Sequence, residues 1–598
     1  MCGLVGFVSY KEEEELIKNL VNSIAHRGPD EQDYKIIKVG NQFIHFGSAR
    51  LSVVGESTGR MPMVDSNNNM IVYNGELYNL HRLRNKISKN INSTSDTLHL
   101  FEYLKENDEN NLNDLNGMFA FSFYNSKKNY LLLGRDKLGI KPIYYLESEE
   151  YPFFFSSEIK ALLNFSNRRV NMETIQSYLA FGGFNRYTNL INDIKTVQPG
   201  SAIKWHNNNL QIINYYYPVK LQNENENNIE SLLAEVIDDQ LKADVSVDLL
   251  LSGGIDSSII AYITKNILNK QVKAFSLSFT NKKYDETHKS KIISNELGID
   301  HEVFVFDTEE NESVISELLE KLPEPVGDPS IIPTFYLSQC VSKHTKAVLS
   351  GDGADELFSG YDWYRALRFS RFLNKYTSST LQLVGFISDL MSKNQNISTK
   401  DKIDLFNSGI NYKDEIKILH WQNTLKLENI TNELFEDYIK NINLTSANNK
   451  YDKVQLIDLY TYLYTNILKK SDTASMLNGL EVRPVFLDDR ILNYSLSQNQ
   501  KKNVGYLKSK KELRKIAQGF TKVNNQKKQG FTHDFSSWIS TVGLNYLNEI
   551  KNDHKLISYY LNNIEGKPLN NTLEERNIWK FYSLYKWIDL NNIKIESN

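Results

Sequence analysis

The sequence predicts two domains of different texture, an α+β unit followed by an α/β unit with helical additions. Its 598 residues are about four times a typical domain length. Short alternating segments dominate the first third, whereas apolar strands alternating with helical patterns follow it. A polar run at residues 222–228, Gln-Asn-Glu-Asn-Glu-Asn-Asn, separates the two textures and has too little apolar surface to pack. The expected domains are therefore residues 2–217 and 229–590.

In chain order, period-two alternation predicts strands at 41–46, 70–73, 118–124, 130–133, 152–155 and 201–205, arranged as antiparallel sheets. Helical spacing is interleaved at 13–24, 77–88, 97–106 and 172–181. Beyond the linker, apolar runs at 248–251, 274–279, 302–306 and 347–349 alternate with helical patterns, the mark of parallel βαβ units. From about Tyr361 onward the pattern is mostly helical.

Composition narrows the classes. A net charge of −4 argues against a general nucleic-acid binder. Two cysteines make no disulfide framework, so a reducing cytoplasm is the expected compartment. The best membrane candidate, residues 383–391, is short and broken by Gly385 and Asp389. No membrane is expected as a partner.

The N-terminus carries the first chemistry. Removal of Met1 would leave Cys2 first, its thiol beside its own α-amine. An amine titrating near about 8 is matched to take a proton from a thiol near about 8.5. A terminal nucleophile with its own amine as base is an established activation scheme. Arg50 suits a carboxylate and Asp96 an ammonium, the two groups of an amino acid. Asn74 and Gly75 offer an amide and a backbone N–H to an oxyanion. Each has a plainer reading: Asn-Gly is a common hairpin turn, and Ser-Asp a common helix cap. Cys340 sits in a helical pattern and is expected in the core.

Together, Met-Cys-Gly-Leu-Val-Gly, His26-Arg27-Gly28-Pro29-Asp30, Arg50-Leu51-Ser52, Asn74-Gly75-Glu76, Gly117-Met118-Phe119-Ala120 and Arg135-Asp136-Lys137-Leu138-Gly139-Ile140-Lys141-Pro142 resemble the class II glutamine amidotransferase domain. The resemblance implies an αββα sandwich of the N-terminal nucleophile hydrolase type. It also implies attack of Cys2 on the glutamine amide, an oxyanion hole at Asn74 and Gly75, and glutamine held by Arg50, Asn74, Gly75, Glu76 and Asp96. Met61 stands where the family usually has Gln, and Leu98 where an acid is common.

The second chemical signal is a phosphate loop. Residues 249–251 lead into Ser252-Gly253-Gly254-Ile255-Asp256-Ser257-Ser258 and then a helical run. A strand, a glycine turn and a helix N-terminus expose N–H groups to an anion. No Lys lies in the loop, so this is not the Walker A pattern. Further on, Ser350-Gly351-Asp352-Gly353-Ala354-Asp355-Glu356 concentrates carboxylates beside a second glycine turn. Mg²⁺ shared with phosphate oxygens is their natural partner, with Asp256 and Asp355 as candidate ligands. Lys470 and Arg483 are cations suited to phosphates or to developing negative charge.

The first loop resembles that of the ATP pyrophosphatases, and the ordered set resembles the synthetase domain of glutamine-hydrolysing asparagine synthetases. Lys528-Gln529-Gly530-Phe531 completes that set; His533 and the order Arg483-Pro484-Val485-Phe486 depart from it. The resemblance implies ATP as substrate at Leu251, Ser252, Gly253, Gly254, Asp256, Ser257, Leu277, Ser350 and Gly351. It puts Asp352 and Lys470 at acyl-adenylate formation, with aspartate the first-choice acceptor. A uronic acid sugar or a peptide side chain is the alternative acceptor, and a homodimer is left open.

Overall fold

The computed structural model describes residues 2–55, 58–107, 109, 111–222, 227–281, 285–307, 312–373, 405–406, 409–423, 425, 432–520, 538–564 and 572–596. The segment at 383–391, the motif at 528–531, His533 and part of the 222–228 run lie outside these residues.

The first unit is built from two six-stranded antiparallel sheets. One has Cys2–Ser9 between Phe153–Ser156 and Gln42–Arg50, with Glu31–Val39 at its edge. The other has Gly117–Asn125 between Met70–Leu77 and Tyr130–Arg135. Alternation explains their stacking. Leu4 and Val8 from the first sheet meet Met70, Val72 and Ala120 from the second in one core. Val5 and Phe7 turn outward onto Ile17, Leu20 and Val21 of the helix Glu14–Ser23. On the far side, Tyr73 and Phe121 meet Leu100 and Leu104 of the helix Asp96–Asn107. The four layers are αββα.

The second unit holds a five-stranded parallel sheet in the order Asp300–Phe306, Lys273–Phe279, Val247–Leu250, Ala347–Ser350, Glu481–Pro484. The order reverses beside Val247–Leu250, and ligands of such sheets bind outside the strand ends at that switch point. Both glycine loops leave from there. Helices dominate after residue 354, but Glu481–Pro484 is a strand inside the stretch expected to be helical. Two further expectations are corrected, and one strand joins those expected. The helix expected at 77–88 is only Leu80–Arg84, because the preceding strand pairs with Gly117–Asn125 as far as Leu77. Glu31–Val39 is an edge strand that polar residues concealed. Cys340 is half-buried and not a core residue.

Candidate active sites

Cys2 begins the central strand of the first sheet, buried, in register opposite Arg50. Its backbone nitrogen donates to Oδ1 of Asn74 at 3.0 Å. The Nδ2 of Asn74 points into buried space and meets no acceptor among the described residues. A buried donor left unpaired is costly unless a ligand takes it. Gly75 follows at φ +156°, where a Cβ would lie 2.0 Å from the Met118 carbonyl oxygen. That conformation and that approach together require glycine. Burial pushes the Cys2 thiol up, while Arg50 and the Leu51 N–H act in the opposite direction. The thiol therefore keeps its proton until a base removes it.

Around Cys2, Arg50 reaches Glu31 at 2.9 Å and the Gly55 carbonyl at 2.9 Å. Asp96 accepts from the N–H groups of Thr97 and Leu77 at 2.7 and 3.3 Å. Burial raises its carboxyl. Burial and the nearby Asp96 raise that of Glu76 further, against the pull of Arg483.

The second site is a cavity of about 530 Å³ at the switch point of the parallel sheet. Leu251, Ser252, Asp256 and Ser257 line one wall, Leu277 another, and Ser350, Gly351 and Asp352 a third. Gly253, at φ +72°, and Gly254 form the turn between the first of these without lining the cavity themselves. The Ser252 and Ser257 hydroxyls lie 3.1 Å apart, and the Gly254 N–H donates to Ser252 Oγ at 3.3 Å. Asp352 accepts from the hydroxyls of Ser350 and Ser471, each at 3.0 Å. Lys470 reaches Asp328 at 3.0 Å and Ser330 at 2.9 Å.

Asp256 and Asp355, from the two loops, converge on one cation. The Nζ of Lys510 lies 2.7 Å from Asp256 and 2.6 Å from Asp355. Two carboxylates so placed fit Mg²⁺ shared with phosphate oxygens, and the ammonium stands where that positive charge is needed. Among the described residues no group of three or more Asp, Glu, His or Cys side chains forms a metal cage.

Arg483 does not reach this cavity. It is fully buried, against Glu481 at 2.5 Å and Glu76 at 3.2 Å, because its strand places it behind the sheet toward the first unit. Its role as a phosphate cation is withdrawn. Residues to which the sequence assigned no joining role link the two units. Arg27 Nη2 and Lys141 Nζ, both buried, reach the two oxygens of Asp472 at 2.9 and 3.0 Å. Arg27 also donates toward the Cys2 carbonyl at 3.4 Å. Asp472 lies two residues beyond Lys470, so one buried ion cluster touches the backbone of the thiol residue and the helix of the second site. Burial raises the Asp472 carboxyl, but Arg27 and Lys141 overcome this and hold it below its ordinary value.

The family model for asparagine synthase matches residues 228–588, and that for a glutamine amidotransferase domain matches residues 1–217. The chain belongs to the asparagine synthase family. Asparagine synthetase [glutamine-hydrolyzing] 1 of Bacillus subtilis is 27% identical, over 99% of this chain and 97% of its own. Asparagine synthetase [glutamine-hydrolyzing] 3 of the same organism is 28% identical, over 91% of this chain and 90% of its own. A putative asparagine synthetase of Methanocaldococcus jannaschii is 28% identical, over 80% of this chain and 98% of its own. In this asparagine synthase family member, no helix among the described residues is long and apolar enough to cross a membrane.

Proposed function

We propose that the chain forms an amide from a carboxylate, using ammonia released from glutamine. Cys2 attacks the glutamine side-chain amide, with its own freed amine accepting the thiol proton. The tetrahedral oxyanion is held by Asn74 Nδ2 and the Gly75 N–H, and the resulting thioester is hydrolysed to glutamate. At the second site the acceptor carboxylate attacks the α-phosphorus of ATP and expels pyrophosphate. Ammonia then displaces AMP from the acyl-adenylate. Free carboxylates lack an adequate leaving group, and AMP supplies one. Leu251, Leu277 and the two glycine loops hold ATP, Lys470 meets the charge that develops on the α-phosphate, and Asp352 lies beside the acyl group. Asp256 and Asp355 would hold a Mg²⁺, which would supply positive charge to the pyrophosphate.

The observation that carries this reading is the division of labour at Asn74. One amide oxygen orients the Cys2 nitrogen, and the amide nitrogen is left unpaired for an oxyanion. Aspartate is the first-choice acceptor, with asparagine, glutamate, AMP and pyrophosphate as products. A second reading, a uronic acid sugar as acceptor, is favoured by the stacked Tyr361 and Trp363 rings, 4.1 Å between centroids, on the cavity wall. A screen of carboxylates with glutamine and ATP, following AMP, tests both. ADP as the stoichiometric product would overturn the adenylation.

A further inference from the structure

The last long helix, Thr572–Leu590, is fixed by two buried tryptophans. Trp579 and Trp587 donate their indole N–H groups to the carbonyls of Val326 and Leu322 at 2.9 and 3.0 Å. On either side of Trp579, Arg576 and Lys580 stand one turn apart and both line the cavity described above. Lys580 is 7% exposed, and its Nζ donates to the Leu179 carbonyl at 3.2 Å. No carboxylate comes within ion-pair distance of it among the described residues. Burial pushes its ammonium down to about 7, and Arg576 adds to this while Asp328 opposes it. Arg576 makes no hydrogen bond or ion pair among the described residues. The acid closest in effect, Asp328, is already held by Lys470 and by the Ser330 N–H, each at 3.0 Å.

Buried cations are normally paired; Lys580 is buried and Arg576 half-buried on one face of the helix and one opening, and among the described residues neither meets a carboxylate at ion-pair distance. Their place follows from a chain of contacts. Asp352 meets Ser471, its neighbour Lys470 meets Asp328, and the field of Arg576 acts on Asp328. Arg576 and Lys580 therefore share the cavity with Lys470 and Asp352, one contact further along from Asp328.

We propose that Arg576 and Lys580 form a subsite for a second, non-reacting anionic group of the acceptor, a carboxylate or a phosphate. The acceptor is then at least dianionic: one carboxylate is activated near Asp352 and Lys470 while the other anion anchors the far end. This rests on the reading that the cavity activates a carboxylate with ATP. An acceptor carrying only the reacting carboxylate lacks the anchor.

Two paired comparisons in the full chain test it, by acceptor-dependent exchange of pyrophosphate into ATP. L-Aspartate is set against β-alanine, which lacks the second carboxylate, and glucuronate 1-phosphate against glucuronate. In the active pair, kcat/KM for the dianionic member is expected to exceed that of its partner by about 30-fold or more. Arg576→Gln and Lys580→Met should each raise the KM for that acceptor by about tenfold or more, with the KM for ATP and glutamine hydrolysis unchanged. Arg576→Lys should recover part of the loss. A monoanionic acceptor that matches its dianionic partner overturns the subsite, as does an acceptor KM that Lys580→Met leaves in place. Calorimetric titration with succinate, independent of turnover, separates this from failure of the adenylation reading. Saturable binding that Lys580→Met abolishes supports the subsite even if none of the four acceptors reacts, and absence of binding to the unaltered chain overturns it.

Discussion

Glu76 Oε2 lies 3.2 Å from Nη2 of Arg483, a contact between the strand that carries Asn74 and Gly75 and the edge strand of the parallel sheet. Arg483 is opposite Leu349 in register, one residue before Ser350 of the second glycine loop. One fully buried guanidinium thus joins the strand of Asn74 and Gly75 to the strand beside the second glycine loop.

Removing that cation should be severe. Glu481, wholly buried against Arg483, would lose one of its counter-charges, and breaking a buried pair typically costs ~3–5 kcal/mol. Arg483→Met is expected to lower the denaturation midpoint sharply, and Glu76→Gln much less, since burial and Asp96 already favour its neutral form. Urea unfolding of both variants checks this. Equal losses would mean that Glu76 carries as much of the charge as Glu481.

At the first site, Asn74→Ala removes both the acceptor for the Cys2 nitrogen and the unpaired donor. Loss of one oxyanion donor alone slows acyl transfer by about 10²–10³. Glutamine-dependent amide formation should fall by at least that factor, while synthesis from added ammonium persists. Cys2→Ala should abolish the first and spare the second. A loss of ammonium-driven synthesis in Cys2→Ala, with folding verified by circular dichroism, would contradict separate sites.

Both chemical loops were legible because each follows an apolar strand and contains glycines, a local signal. What was hidden depends on tertiary contact. Glu31–Val39 shows Asp33, Lys35 and Lys38 to solvent and packs Tyr34 and Ile36 only partly, so its strand pattern is weak. Glu481–Pro484 is four residues long and ends in proline, tolerated because it is an edge strand. The pairing of Arg27 and Lys141 with Asp472 spans more than 300 residues, and no spacing rule reaches that far. Arg576 and Lys580 carry no local signal, since only the fold turns their helix face into a cavity wall.

Two buried acids behind the cavity make stability fall as pH rises. Burial lifts Asp458 to about 7, and burial together with Asp355 lifts Glu356 to about 8. Unfolded carboxyls titrate near about 4. Their contribution is therefore fully present below about pH 4 and is lost as pH climbs through 7 to 8. Asp458→Asn removes the charge yet keeps an acceptor for the Trp363 indole N–H, now at 3.1 Å, while the Gln422 amide, 2.8 Å from the other oxygen, can turn to accept from the new NH₂. Its urea midpoint should exceed that of the unaltered chain at pH 8 and approach it at pH 5. A difference independent of pH would show that Asp458 stays ionised.

Lys510 gives the sharpest test of the metal assignment. It adopts φ +53°, a left-handed conformation that costs a non-glycine residue of order 1 kcal/mol or more, and so must be held there by its contacts. Those contacts are Asp256 and Asp355. Gly360 leaves room for them, since a Cβ there would lie 1.9 Å from Asp355 and 2.2 Å from the Lys510 chain. If the two carboxylates are metal ligands, Lys510 competes with the metal in the free protein and becomes available to pyrophosphate when the metal enters. Lys510→Met should then raise the affinity of the nucleotide-free protein for Mn²⁺ by about tenfold or more, because a competing charge a few ångströms away is gone. It should also slow exchange of pyrophosphate into ATP. Electron paramagnetic resonance of free Mn²⁺ measures the first effect without turnover. An unchanged Mn²⁺ affinity would make Lys510, and not a metal, the permanent counter-ion of Asp256 and Asp355, and the metal ligands would have to be sought among the phosphates.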